Sequence, residues 1–137
     1  MSGFERPRYF AGKIVTADDF ALEQRYQIEK RRLLNRMFHG SGVVHGLEVT
    51  AGDKGTVNVA SGFALDPCGR EIIVCEPREL AIQEGAEAVF ICLMYAEVET
   101  DRGTVRETYE LTTATDVSEQ AVVLGVVSGG AIQAHGA

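Results

Sequence analysis

The sequence predicts a mainly β fold of the α+β kind. One long N-terminal helix packs on an antiparallel β-sandwich or barrel-like domain of about seven to nine short strands. Two observations carry this. The segment Ala17 to His39 contains no proline or glycine, whereas 13 of the 15 glycines follow residue 39. Beyond that point short apolar runs alternate with Gly-, Asp- and Pro-containing turns, the pattern of hairpin-connected strands. The expected layout is a single domain over 1–137: an extended arm (1–15), a helix (16–40) and a β-domain (43–137).

The arm reads as extended because Pro7 disfavours helical conformation at Arg6. Gly12 marks a turn, and Tyr9, Phe10 and Ile14 require cover from the helix or from a neighbour. The helix has its own start and stop signals. Thr16 is a good N-cap, Asp19 three residues later approximates a capping box, and Asp18 and Asp19 favour the positive end of the helix dipole. Gly40 supplies the stop. At ~1.5 Å per residue such a helix is about 35 Å long, large for a chain of this size. Leu22, Tyr26, Leu33 and Met37 form an apolar stripe widened by Phe20, Leu34 and Phe38; Arg25, Glu29, Arg32 and Arg36 lie opposite. Glu23 and Lys30 interrupt the stripe. An amphipathic helix lying on a sheet accommodates them at its edge, and a subunit contact uses them to set register between chains. The sequence leaves both readings open.

Gly40, Gly42 and Gly46 read as a turn around Val43 and Val44, with a first strand starting at Leu47 and Val49. A hairpin loop at 51–55 leads to the alternating strand Thr56–Ala60. Phe63–Asp66 and Glu71–Cys75 flank a tight turn at Pro67-Cys68-Gly69. Leu80 and Ile82 make a brief strand before a turn at Glu84-Gly85. Ala88–Val98 has no polar face, and its β-branched and aromatic content predicts a central strand covered on both sides, one cover being the helix. Thr104–Thr113 alternates and predicts one wet face. Ala121–Ser128 is again apolar, with Gly125 marking a bulge or a close approach. Gly129-Gly130 turns into a closing strand, Ala131–Gln133, and the end from Ala134 reads as loose.

With 45% apolar residues the chain can build a core without metal or disulfide support. A formal net charge of −7 argues against general binding to nucleic acid or anionic membranes. The charge is uneven: residues 1–38 hold eight Lys/Arg against five Asp/Glu, and the remainder five against 15. Either the helix has a solvated basic face, or a basic arm meets an acidic surface on another copy or partner. No apolar run has the ~20 residues of a membrane span. No secretory leader is evident, and three cysteines is an odd count, which points to synthesis in a reducing cytoplasm with free thiols.

Chemistry is sparse. Cys68, Cys75 and His45 are the best metal-ligand candidates, since a hairpin at 68–75 would let the two thiols face each other. Without a CxxC pair or HExxH, buried structural thiols are the preferred reading, and no cofactor is expected. Neither His39 nor His45 adjoins a nucleophile motif, so no enzyme is expected. The helix start TADD repels anions, and Lys30-Arg31-Arg32 reads as a solvated face.

The block RPRYFAGKIVTADDF…EQRY…EKRRLLNRMFHGSGVVHGLEV resembles a bacterial family associated with phage tails and phage-tail-like contractile injection systems. That family carries a pattern close to RxRYFxGxLLTxxDFxxEQxYxxxKxRxHNRxLHGxGVVxGLEV. VNVASGFALDPCGREIIV, ICLMYAEVETD…RETYEL and AVVLGVV agree with it too, so the resemblance covers most of the chain. Relatives often carry Cys at the positions of His45 and Val98 and His at that of Leu34, and are longer between Glu99 and Glu107. The resemblance implies a baseplate or tail-fibre attachment module, non-enzymatic and forming part of a phage-like particle. Arg6, Arg8, Tyr9 and Phe10 would anchor the arm, and Tyr26, Lys30, Leu33 and Met37 would form the helix contact. The implied partners are further copies, in a homotrimer, and other baseplate proteins. The same residues would equally serve to close a monomer's core. A free-standing small-molecule or metal-binding β-domain is the alternative function.

Overall fold

The computed structural model describes residues 3–83, 85 and 87–134. Glu84, in the expected Glu84-Gly85 turn, and the last three residues of the expected loose end lie outside the described residues. One helix, α1 (Ala17–Leu34), is followed by a π-turn (Asn35–His39) and ten strands. These are β1 (Gly42–Gly46), β2 (Val49–Ala51), β3 (Thr56–Val59), β4 (Gly62–Leu65) and β5 (Glu71–Val74). Then come β6 (Arg78–Ala81), β7 (Val89–Glu99), β8 (Val105–Ala114), β9 (Val122–Ser128) and β10 (Ala131–Ala134). The fold is mainly β with a helix, as expected. The strand beyond the expected range is β1, read from the sequence as a glycine-broken turn. Its glycines sit at the ends of a strand that pairs with β4, and Val44 forms a bulge between them.

Three antiparallel sheets enclose one core: β1-β4-β5, β2-β3-β6 and β10-β9-β7-β8. They form no closed barrel among the described residues. Period-two alternation aims Val57 and Val59 of β3, Ile72 and Val74 of β5, and Ile91 and Leu93 of β7 inward. Leu47, Ala64, Val122 and Leu124 complete the packing. The apolar strand β7 runs between β8 and β9, as its composition predicts. Gly125 sits at an irregularity in the β7–β9 pairing, and a side chain there would press on the Gln133 carbonyl and on Val49.

The helix departs from expectation in where it lies. Its start is as read: Asp19 N–H donates to Thr16 Oγ1 and Thr16 N–H to the Asp19 carboxylate at 3.0 Å, a complete capping box. Gly40 ends it with φ +74°, its N–H donating to the Asn35 carbonyl across the π-turn. Yet no residue of α1 is buried. The helix does not cover β7 or lie along a sheet. It meets the β-domain through its C-terminal turns, from Ile28 onward, and together with the arm it forms a limb.

Candidate docking surface

The limb is built by the arm doubling back along its own helix. Successive arm residues meet successively earlier helical turns. Phe4 lies under Lys30 Nζ (5.4 Å to the ring centroid), and the Arg6 guanidinium lies over Tyr26 (5.8 Å). Tyr9 Oη donates to Glu23 Oε2 at 3.2 Å, and Lys13 Nζ reaches Asp19 Oδ1 at 3.5 Å. Lys30 also faces the Tyr26 ring, at 5.5 Å, so it sits between two aromatic faces. Cation–ring contacts of this exposed kind contribute about 0.5–1 kcal/mol each.

At the far end, Lys13 holds the reversal of the chain. The arm turns at Ala11-Gly12, and Lys13 Nζ donates to the Arg8 carbonyl at 2.9 Å while lying near the Tyr9 and Phe10 rings. Hydrogen bonds from Thr16, foremost its backbone N–H, and then the Lys13 charge, hold the Asp19 carboxyl below its ordinary pKa. Desolvation first, then the hydrogen bond to Glu23, pushes the Tyr9 phenol above its own.

At the near end the limb joins the body through polar groups. Arg31 makes a two-pronged pair with Glu71, with Nη2 to Oε2 at 2.8 Å. Asn35 is buried and donates to the Gly69 carbonyl (3.1 Å) and to Glu71 (3.2 Å). Arg32 lies 3.6 Å from Glu97 and stacks over Tyr95, whose other neighbour is Arg70. Tyr95 Oη is 2.8 Å from both Glu97 and Glu107, which face each other across β7 and β8. Burial first, then these two acceptors, push the phenol far above its ordinary pKa. The close fit needs Gly69: its φ is +83°, and a Cβ there would overlap the Arg32 carbonyl. Part of the charge imbalance read from the sequence is thus satisfied within the chain, basic helix end against acidic strands.

Of the eight residues expected at a docking surface, Arg6, Tyr9, Tyr26 and Lys30 come together along the limb's inner seam, while Arg8 and Phe10 pair with each other beside the turn, Phe10 exposed. Leu33 is half-buried. Met37 stands apart at 76% exposure, carried off the helical stripe by the π-turn. Glu23 and Lys30, the two charges inside that stripe, are engaged by the arm. Ile14 (85% exposed), read from the sequence as needing cover, and Phe38 (79%), read as part of the helix stripe, both face outward although neither was in the expected docking set, and Lys13 was missed as the latch. Phe10, Val15, Phe20 and Leu34 are exposed as well.

The metal candidates do not converge. The β4–β5 register pairs Gly62 with Val74 and Leu65 with Glu71, so Cys68 sits in the turn and Cys75 beyond the open end. The thiols therefore do not face each other; the turn consumes the residues that were to bring them level. Cys92 is buried, Cys68 half-buried and Cys75 exposed, so the buried-thiol reading holds for Cys92, whose pKa desolvation raises. His45 is exposed, and among the described residues no group of three or more His, Cys, Asp or Glu is placed to hold a metal ion. No described helix is long and apolar enough to cross a membrane.

No protein-family model and no curated protein matches this chain. A solved structure does: a chain of "The baseplate complex from the type VI secretion system", with a TM-score of 0.52 at 14% identity. The match covers 97% of this chain and 58% of that one, so the present chain spans a little over half the length of its structural neighbour. At that identity the likeness is one of fold.

Proposed function

We propose that the chain is a non-enzymatic assembly module of a phage-tail-like or contractile injection particle, docking through its arm and helix onto other particle proteins and further copies of itself. One observation carries this: a limb that buries none of its helix in the body yet holds large apolar side chains outward, Ile14 and Phe38 foremost. Phe10, Ile14, Val15 and Phe20 are exposed within one short stretch of chain, and clustered exposed apolar groups mark interaction surfaces. The shared fold with a baseplate chain supports the reading, as does the sequence resemblance, whose most specific block is the limb itself. Partners of this limb present apolar pockets, and nucleic acid is disfavoured by the net charge of −7.

The test is location. Antibody raised against the chain should label one end of sheathed tail-like particles sedimented from the source cells, seen by electron microscopy. A chain left wholly in the supernatant while such particles pellet without it would reject the assignment.

A further inference from the structure

We infer that the tip of one copy's limb docks into the groove at the root of a second copy's limb, a step that rests on the assembly reading above. The tip is the reversal from Phe10 to Phe20. It displays Phe10, Ile14, Val15 and Phe20 to solvent, yet Lys13 ties the turn to both the arm and the helix start. Apolar groups presented by a locked turn lose little conformational freedom on docking, which lowers the cost of association.

The groove lies at the opposite end, between the π-turn and the β1–β4–β5 sheet. It is a cavity of about 460 Å³ lined by Val43, Val44, Phe63 and Leu65 and, on its polar side, by Asn35, His39 and the Arg31–Glu71 pair, whose charges offset each other. Val44, at the β1 bulge, is 55% exposed. A chain cannot fill its own groove with its own tip. The 18 residues of α1 separate them by about 27 Å at ~1.5 Å per residue, and the arm is held along that whole length.

Charge selects a second copy as the occupant. The tip carries exposed Asp18 beside the positive end of the helix dipole. The root carries Arg36 and His39 at the negative end. Seating tip on root brings exposed Asp18 towards exposed Arg36, acid against base. Each copy thereby gives one surface and receives with another. Such a heterologous contact closes into a ring, a trimer among the options, or grows into a filament.

The experiment measures mass by light scattering across a wide concentration range, with circular dichroism confirming the fold. Wild type should self-associate. Ile14→Asp and Val44→Asp should each weaken association about 30-fold or more, the size of a lost interface anchor. An equimolar mixture of the two should form dimers and nothing larger, because one intact tip meets one intact groove. Asp18→Arg should weaken association and adding Arg36→Asp should restore it, an arm that stands if Val44→Asp fails to fold. A monomeric wild type, a variant that keeps wild-type mass, a mixture that remains monomeric, or no rescue by the double reversal overturns the contact. Particle labelling decides the wider reading separately: a chain that labels particles but never self-associates overturns the tip-to-root contact alone.

Discussion

The β-domain and the limb are held together by opposite means. From Leu47 to Leu124, cohesion comes from aliphatic side chains closed off from water, Val59, Ile91 and Leu93 being completely buried. From Phe4 to His39, it comes from a capping box, cations over rings and ion pairs, while the large apolar groups face solvent. A body sealed by the hydrophobic effect is not loosened by charge screening. A limb held by exposed charges is salt- and pH-sensitive, and keeps its apolar surface free for something else. The division shows that the chain does not treat its first third as part of the core.

The comparison breaks first if core and limb respond alike to truncation. Leu93→Ala should cost about 2–5 kcal/mol in chemical denaturation, the range for a fully buried aliphatic. Phe20→Ala, exposed on the limb, should stay within about 0.5 kcal/mol. Equal losses would place Phe20 in a core. Gly69→Ala comes next. A left-handed backbone and a methyl group forced onto the Arg32 carbonyl should cost about 1–3 kcal/mol and push the limb off the body, read as faster protease cleavage between 35 and 42.

Smaller effects separate the joint from the body. Arg31→Ala should lower stability by only about 0.2–1 kcal/mol, because its side chain is 70% exposed and solvent screens the pair. The same variant, or 1 M salt with wild type, should accelerate limb cleavage while the midpoint of body unfolding hardly moves. The pH dependence is smallest. Asp19 has a folded pKa below the ordinary value of 3.8, so its cap contributes stability above that value and loses it as pH falls through the folded one. Helical circular dichroism should fade in that acid window, and Asp19→Asn should abolish the fade. Tyr95 acts at the other extreme. Its raised pKa contributes stability that is intact below the ordinary phenol value of 10.0 and declines as pH rises above it, which Tyr95→Phe should remove.

Much of this was legible from residues alone. Thr16 and Asp19 announced the helix start, Gly40 its stop, and the alternation over Thr56–Ala60 puts Val57 and Val59 on one face, the face that the core takes. These are local signals, set by backbone chemistry within four residues. The strand β1 was missed because glycines at its ends look like a turn until β4 is laid beside it. The stripe Leu22–Tyr26–Leu33 reads as a face for a sheet or a second subunit, and nothing in its spacing says that Arg6 of the arm lies over Tyr26.

The amino-acid order by itself determined the β character of the body, the extent and caps of the helix, and the absence of any familiar catalytic motif, because each depends on side-chain periodicity or on neighbours in the chain. Tertiary structure alone decided that the helix stands off the core, that Arg31 and Asn35 meet Glu71 and Gly69, and that Ile14 is presented at a locked tip. Those facts depend on pairings between residues tens of positions apart. Such pairings are chosen by the shape of the whole packed body, and no local pattern encodes them.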